Sequence, residues 1–194
     1  MIVLASSSPR RRELLTLIGL PFTVITSDVD EQPPHGAPPD EYVKALALQK
    51  ARAVAYTHPD DCVIGADTVV YLDGDILGKP HTPENAARFL HRMQGRTHTV
   101  YTGVAVLCAG REDVRHCCTE VTFAPMTDAE IDWYVSTGEP LDKAGAYGVQ
   151  GPAAVFVQRI EGNYFNVIGM PLPLLYRMLL DAGYSVHDLQ LSAQ

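Results

Sequence analysis

Basic residues are scarce in this sequence: 15 Lys plus Arg stand against 23 Asp plus Glu in 194 residues, a net charge of −8. A chain so acidic is a poor partner for a phosphate backbone over a broad surface, and no basic stripe with interleaved aromatics offsets it, so nucleic-acid binding is not expected as its main activity. A small anion held in a local basic pocket is still compatible with that charge. Cysteine is sparse as well. The thiols at Cys62, Cys108, Cys117 and Cys118 show no C-x-x-C spacing and no histidine at zinc-finger distance, so no structural metal is expected. No stretch approaches the roughly 20 apolar residues of a membrane span. The opening Met1-Ile2-Val3-Leu4-Ala5 is too short an apolar run for a signal peptide. The expectation is a cytoplasmic protein with no membrane partner. A Gly-x-Ser-x-Gly elbow, a Gly-Lys-Ser/Thr phosphate loop and a triad-like grouping of the seven histidines are all missing, which argues against a His-based hydrolase and a Walker-type nucleotidase.

What is present is an apolar content of 46% with 20% charged residues, enough for one globular domain or two intimately packed lobes. Helical and strand patterns alternate along the whole chain, which predicts an α/β fold with a mixed twisted sheet and flanking helices. Strands are expected at Ile2 to Leu4, Phe22 to Thr26, Cys62 to Leu72, Thr97 to Leu107, Val114 to Phe123 and Ala153 to Ile160. Helices are expected from Pro9, with Ser8 as its N-cap, to about Ile18, Asp40 to about Tyr56, Pro83, opened by Thr82, to about Gly95, Thr127 to about Ser136, and Leu172 to Leu180. Asp73-Gly74 signals a hairpin, Gly-Arg-Glu-Asp at 110–113 a polar turn, and Thr127 with Glu130 a capping box.

Several placements point to chemistry. Ser6-Ser7-Ser8-Pro9-Arg10-Arg11-Arg12 lies between a strand and a helix start, where unpaired N–H groups, hydroxyls and guanidinium forks can bind phosphate oxygens. An ordinary capped helix with exposed arginines is the plainer account. Lys50 falls on the apolar stripe of its helix with Val43, Leu46, Ala47 and Val54, so its ammonium needs an anionic partner unless it snorkels to the surface. Asp67 sits inside Cys62 to Val70, where a carboxylate needs a metal, a cation or several donors. Asp30-Glu31, before a proline-rich loop, would suit a divalent ion if that loop folds back. Lys79, between Gly78 and Pro80, is a fourth cation. Together Arg10, Arg11, Lys50 and Lys79 nearly match the charge of a triphosphate. Gln150, in a Gly-rich loop, carries an amide able to pair with the N3–H and O4 of uracil or thymine, although a flipped amide would suit cytosine equally.

These motifs together resemble the Maf family of nucleoside triphosphate pyrophosphatases, in particular its branch acting on dTTP and UTP. The resemblance rests on A-S-S-S-P-R-R-R-E-L-L at Ala5 to Leu15, G-A-D-T-V-V at Gly65 to Val70, and G-K-P at Gly78 to Pro80. It continues through G-R-T-H-T-V-Y-T at Gly95 to Thr102, K-A-G-A-Y-G-V-Q-G at Lys143 to Gly151 and I-E-G-N-Y-F-N-V-I-G-M-P-L at Ile160 to Leu172. It implies a single Maf-like domain over 1–194, with two lobes around a cleft as in inosine triphosphate pyrophosphatases. It also implies a homodimer and a divalent metal cation, Mg²⁺ or Mn²⁺. By the same resemblance Asp67 is the catalytic proton acceptor, Arg10, Thr68 and Gln150 fall on specificity positions, and Ser6, Arg11, Glu31, Lys50 and Lys79 match other functional positions, with Glu31 and Asp67 placed to hold the metal. The implied reaction is hydrolysis of a nucleoside triphosphate to monophosphate and pyrophosphate, with clearance of modified nucleotides and a link to cell-division arrest. A nucleotide sensor without turnover is the competing class.

Overall fold

A computed structural model describes residues 1–26, 32 and 34–185; Asp30 and Glu31 lie outside them. Among the described residues seven strands form one mixed sheet in the order β2 (Thr23–Val24), β1 (Ile2–Ala5), β3 (Cys62–Leu72), β5 (Thr97–Cys108), β6 (Arg111–Phe123), β7 (Val157–Glu161), with β4 (Asp75–Leu77) paired to β3. β1 (Ile2–Ala5) and β3 (Cys62–Leu72) are buried almost throughout, as expected of strands covered on both faces. β1 pairs in parallel with β3, Ala5 opposite Gly65, and with the short β2 (Thr23–Val24). β4 (Asp75–Leu77) folds back on β3 through Asp73 and Gly74, whose φ values of 53° and 88° give a tight hairpin its twist.

β5 (Thr97–Cys108) and β6 (Arg111–Phe123) differ from expectation at their junction. Ala109 and Gly110, with φ of 49° and 74°, close the turn by themselves, so Arg111, Glu112 and Asp113 belong to a solvent-facing strand rather than to a polar loop. The strand expected over Ala153 to Ile160 is also shorter: a 3₁₀ turn occupies Pro152–Phe156 and β7 (Val157–Glu161) follows, antiparallel to β6. Pro152 fixes φ and has no N–H to donate, which suits the first position of a helical turn and not a ladder.

The chain forms two compact units, the first from Met1–Asp67, Thr102–Cys117 and the segment from Gly169 on, the second from Thr68–Tyr101 and Cys118–Ile168. The first unit packs on small residues: Val3, Ala5, Val63 and Ala105 meet Ala47, Ala51 and Val54 of α2 (Pro39–Ala55). A Cβ at Gly65 would overlap the Ala47 carbonyl oxygen, and one at Gly103 the Val43 carbonyl, so glycine is what lets the helix backbone lie directly on these strands. α1 (Pro9–Leu17) and α6 (Leu172–Asp181) complete this unit.

The second unit has an aromatic core. Phe123, Tyr134, Tyr147 and Phe156 join Leu90 and Met93 of α3 (Pro83–Met93) and Ile131 of α4 (Asp128–Ser136). Both helices are capped as their sequences indicate: Thr82 accepts from the Asn85 N–H at 3.2 Å, and Thr127 and Glu130 form a reciprocal capping box. α5 (Tyr164–Ile168), absent from the sequence expectation, is pinned by Asn166, whose buried amide donates to the Val100 carbonyl at 3.0 Å and to Thr119 Oγ1 at 3.1 Å. No helix among the described residues is long and apolar enough to cross a membrane.

Candidate active site

Gly65 and Asp67, two residues apart on β3, share a sheet face, and Ala47 and Lys50, three apart on α2, share a helix face. The close approach at Gly65 therefore carries Lys50 to Asp67: its Nζ lies 2.6 Å from Asp67 Oδ1, with side-chain exposures of only 14% and 11%. The anionic partner that an inward Lys50 demands, and the cation that a buried Asp67 demands, are in part each other. A charge pair with so little water around it owes its persistence to close geometry, because the desolvation of both ions must be offset.

Beside this pair, β1 leads from Ala5 into the serine loop. Since β1 ends at Ala5, opposite Gly65, while β3 runs on to Leu72, Ser6 and Asp67 both lie just past the carboxyl end of β1, the end of a parallel strand where ligands of open α/β sheets bind. Ser6 organises the loop. Its Oγ accepts from the Ser8 N–H at 3.2 Å and from Arg11 Nη1 at 3.3 Å, while Arg11 Nε donates to the Gly169 carbonyl at 2.8 Å. Ser8 occupies the N-cap position of α1 without a side-chain cap bond, and Pro9, which has no N–H to satisfy, opens the helix. Arg10, half-buried, and Arg11 stand in a first turn that has no acidic residue. Their charge opposes the helix dipole, a conflict that a bound anion would remove.

In the second unit Thr68 is half-buried on β3, while Lys79 and Gln150 are exposed. Backbone bonds join the segments that carry the last two: the Gly145 N–H donates to the Gly78 carbonyl at 3.1 Å and the His81 N–H to the Leu141 carbonyl at 3.3 Å. Thus Ser6, Arg10, Arg11, Lys50 and Asp67 gather in one unit, Thr68, Lys79 and Gln150 belong to the other, and Glu31 lies outside the described residues.

A family model described as Maf-like protein matches residues 1–182. The chain belongs to the Maf family. Curated relatives agree: the dTTP/UTP pyrophosphatase of Moorella thermoacetica is 56% identical over 95% of this chain and 96% of its own length. That of Symbiobacterium thermophilum is 50% identical over 95% of each. Among solved structures, the Staphylococcus aureus Ham1 protein superposes with a TM-score of 0.52 at 16% identity, covering 93% of this chain and 98% of that one, which is a likeness of fold.

Two features of this Maf chain escaped sequence reasoning. Lys50 and Asp67 stand out separately, but their pairing depends on where the α2 and β3 registers meet. The tie from Arg11 to Gly169 spans 158 positions, and a backbone carbonyl leaves no sequence signal.

Proposed function

We propose that this chain hydrolyses dTTP and UTP at the α–β phosphoanhydride, releasing the nucleoside monophosphate and pyrophosphate. The observation that carries this reading is the buried Lys50–Asp67 pair just past the carboxyl end of β1, where the chain enters the serine- and arginine-rich start of α1. The names of the Moorella and Symbiobacterium relatives supply the substrate class. In this reading Asp67 takes the proton of the water that attacks the α-phosphorus, with Lys50 fixing the carboxylate in place. The electron pair of the breaking P–O bond leaves on pyrophosphate, whose charge Arg10, Arg11, Lys50 and Lys79 offset. Ser6 holds Arg11 in position, and Thr68 and Gln150 face the nucleoside.

A divalent cation fits this donor chemistry. Mg²⁺ and Mn²⁺ favour oxygen ligands, and Mg²⁺ sites commonly combine one or two carboxylates with substrate phosphates. Among the described residues Asp67 offers such a carboxylate. Asp67 and, by family resemblance, Glu31 would hold the ion, which neutralises phosphate charge when bound. The same resemblance leads us to expect a cytoplasmic homodimer, which sedimentation of the purified chain and cell fractionation check.

Incubating the protein with dTTP, UTP, CTP and the purine triphosphates plus Mg²⁺ tests the assignment. Monophosphate with pyrophosphate from the first two is the expected result; diphosphate with orthophosphate, or no turnover of any nucleotide, refutes it. Asp67→Asn should lower turnover by about 10²–10⁴-fold, the usual worth of a general base, while circular dichroism shows the fold retained.

A further inference from the structure

Behind the turn that presents Gln150 lies an enclosed carboxylate. Glu139 opens the 3₁₀ turn Glu139–Asp142; its buried Oε2 has no hydrogen bond of good geometry, and the carboxylate neighbours the Tyr134 hydroxyl, adding to burial in pushing that phenol's pKa up. Its Oε1 rests against the turn itself: a Cβ at Gly151 would overlap Oε1 and Cδ of Glu139, and one at Gly148 would meet Oε1 at 3.0 Å. Lys143 packs beside the carboxylate against the same turn, its Nζ donating to the Glu139 carbonyl at 2.8 Å and lying 4.0 Å from Oε1, and its Cε standing 2.9 Å from where a Cβ at Gly148 would be. The Gly148 N–H donates to the Tyr134 hydroxyl at 3.2 Å. Gln150 is thus bracketed by two glycines whose backbone sits on Glu139 and Tyr134.

Gly151 has φ of −110°, a conformation open to any residue. Glycine at this position answers to the carboxylate behind it, not to backbone strain. A buried carboxylate is also a costly way to fill space, since an apolar side chain would occupy it without losing hydration. We propose that Glu139 is a positioning residue for base selection, setting the Gly148–Gly151 turn and through it the place of the Gln150 amide. The proposal rests on the reading that Gln150 faces the pyrimidine.

Steady-state kinetics on UTP and CTP, with melting temperatures as a fold control, test it in Gln150→Ala, Gly151→Ala, Glu139→Ala and the double variant Glu139→Ala/Gly151→Ala. Gly151→Ala pushes the turn off the carboxylate and is expected to raise KM for UTP by about tenfold and narrow the UTP-over-CTP preference, with kcat changing less. In the double variant the added methyl enters the space Glu139 vacates, so KM and preference should recover relative to Gly151→Ala alone, a non-additive coupling that independent effects do not produce. Recovery no better than the product of the single effects overturns the proposal, as does an unchanged KM and preference in Gly151→Ala. If Gly151→Ala does not fold, Glu139→Asp/Gly151→Ala, with the carboxylate drawn back by one methylene, should fold and restore the preference; failure to do so also overturns it. Gln150→Ala separates the two readings. Loss of preference in Gln150→Ala beside normal preference in Gly151→Ala and Glu139→Ala sinks the positioning role alone, whereas unchanged preference in Gln150→Ala removes the base-reading role on which the proposal stands.

Discussion

The first unit of this chain packs alanine, valine and glycine so closely that a helix backbone touches the sheet, whereas the second clusters four large aromatic rings with the apolar sides of two capped helices. Each manner of packing buries a different kind of polar group. Small residues bring Lys50 and Asp67 within 2.6 Å, so the first unit encloses a charged pair. The aromatic core encloses His98, whose Nε2 lies 2.8 Å from the Tyr147 hydroxyl and whose ring meets Phe123 edge to face. Burial holds that imidazole neutral, with its pKa lowered to about 4, and holds the Tyr134 and Tyr147 phenols well above their usual range. Close backbone contact thus delivers paired charge that can act on a substrate, while bulk delivers neutral groups that serve packing.

Breaking one half of the charged pair should show the contrast most strongly. Lys50→Met removes the ammonium 2.6 Å from the enclosed Asp67 carboxylate and should cost about 3–5 kcal/mol in urea unfolding. A loss below 1 kcal/mol would show that the pair is better hydrated than its geometry indicates. Acidification should bear on the second unit. The unfolded chain protonates His98 below its ordinary value of 6.5, whereas the folded chain resists protonation down to about 4. The unfolded state therefore binds more protons in that window, and stability falls as pH drops from 6.5 towards 4, by on the order of 3 kcal/mol in full. His98→Phe should flatten this slope in melts taken across the range; an unchanged slope would assign the acid sensitivity elsewhere.

Gly65→Ala tests the packing that makes the first unit what it is. The new methyl must displace the Ala47 carbonyl, with an expected loss of about 1–3 kcal/mol and a drop in turnover, because Lys50 moves with α2. Retained activity would detach the site from this contact. The smallest effect is expected at the rim of the second unit, where Thr127→Ala removes the capping box of α4 and about 1 kcal/mol of stability, with turnover unaffected.

Legibility followed the range of the interaction. Capped helices were plain, since Thr82, Thr127 and Glu130 act within four positions, and β3 was plain because its apolar run is nearly continuous, interrupted at Gly65 and Asp67. The junction at Ala109-Gly110 was not, because a polar strand facing solvent has the composition of a loop until its partner is known. α5 was missed for a related reason: a five-residue helix has too few turns to show a period, and it is held by Asn166 bonds to Val100 and Thr119, far away in the chain.

By itself the sequence determined the α/β class, the ends of most helices, and which side chains were electrostatically out of place: Lys50 on an apolar stripe, Asp67 within an apolar strand, three arginines at a helix start. Those follow from local propensity and from the cost of burying charge, which need no coordinates. Only the tertiary structure decided that Lys50 and Asp67 satisfy one another, that Gly169 anchors Arg11, and that Glu139 lies beneath the Gln150 turn. Each of these depends on the distance between elements remote in sequence, and that distance is set by how closely the side chains between them allow two backbones to approach.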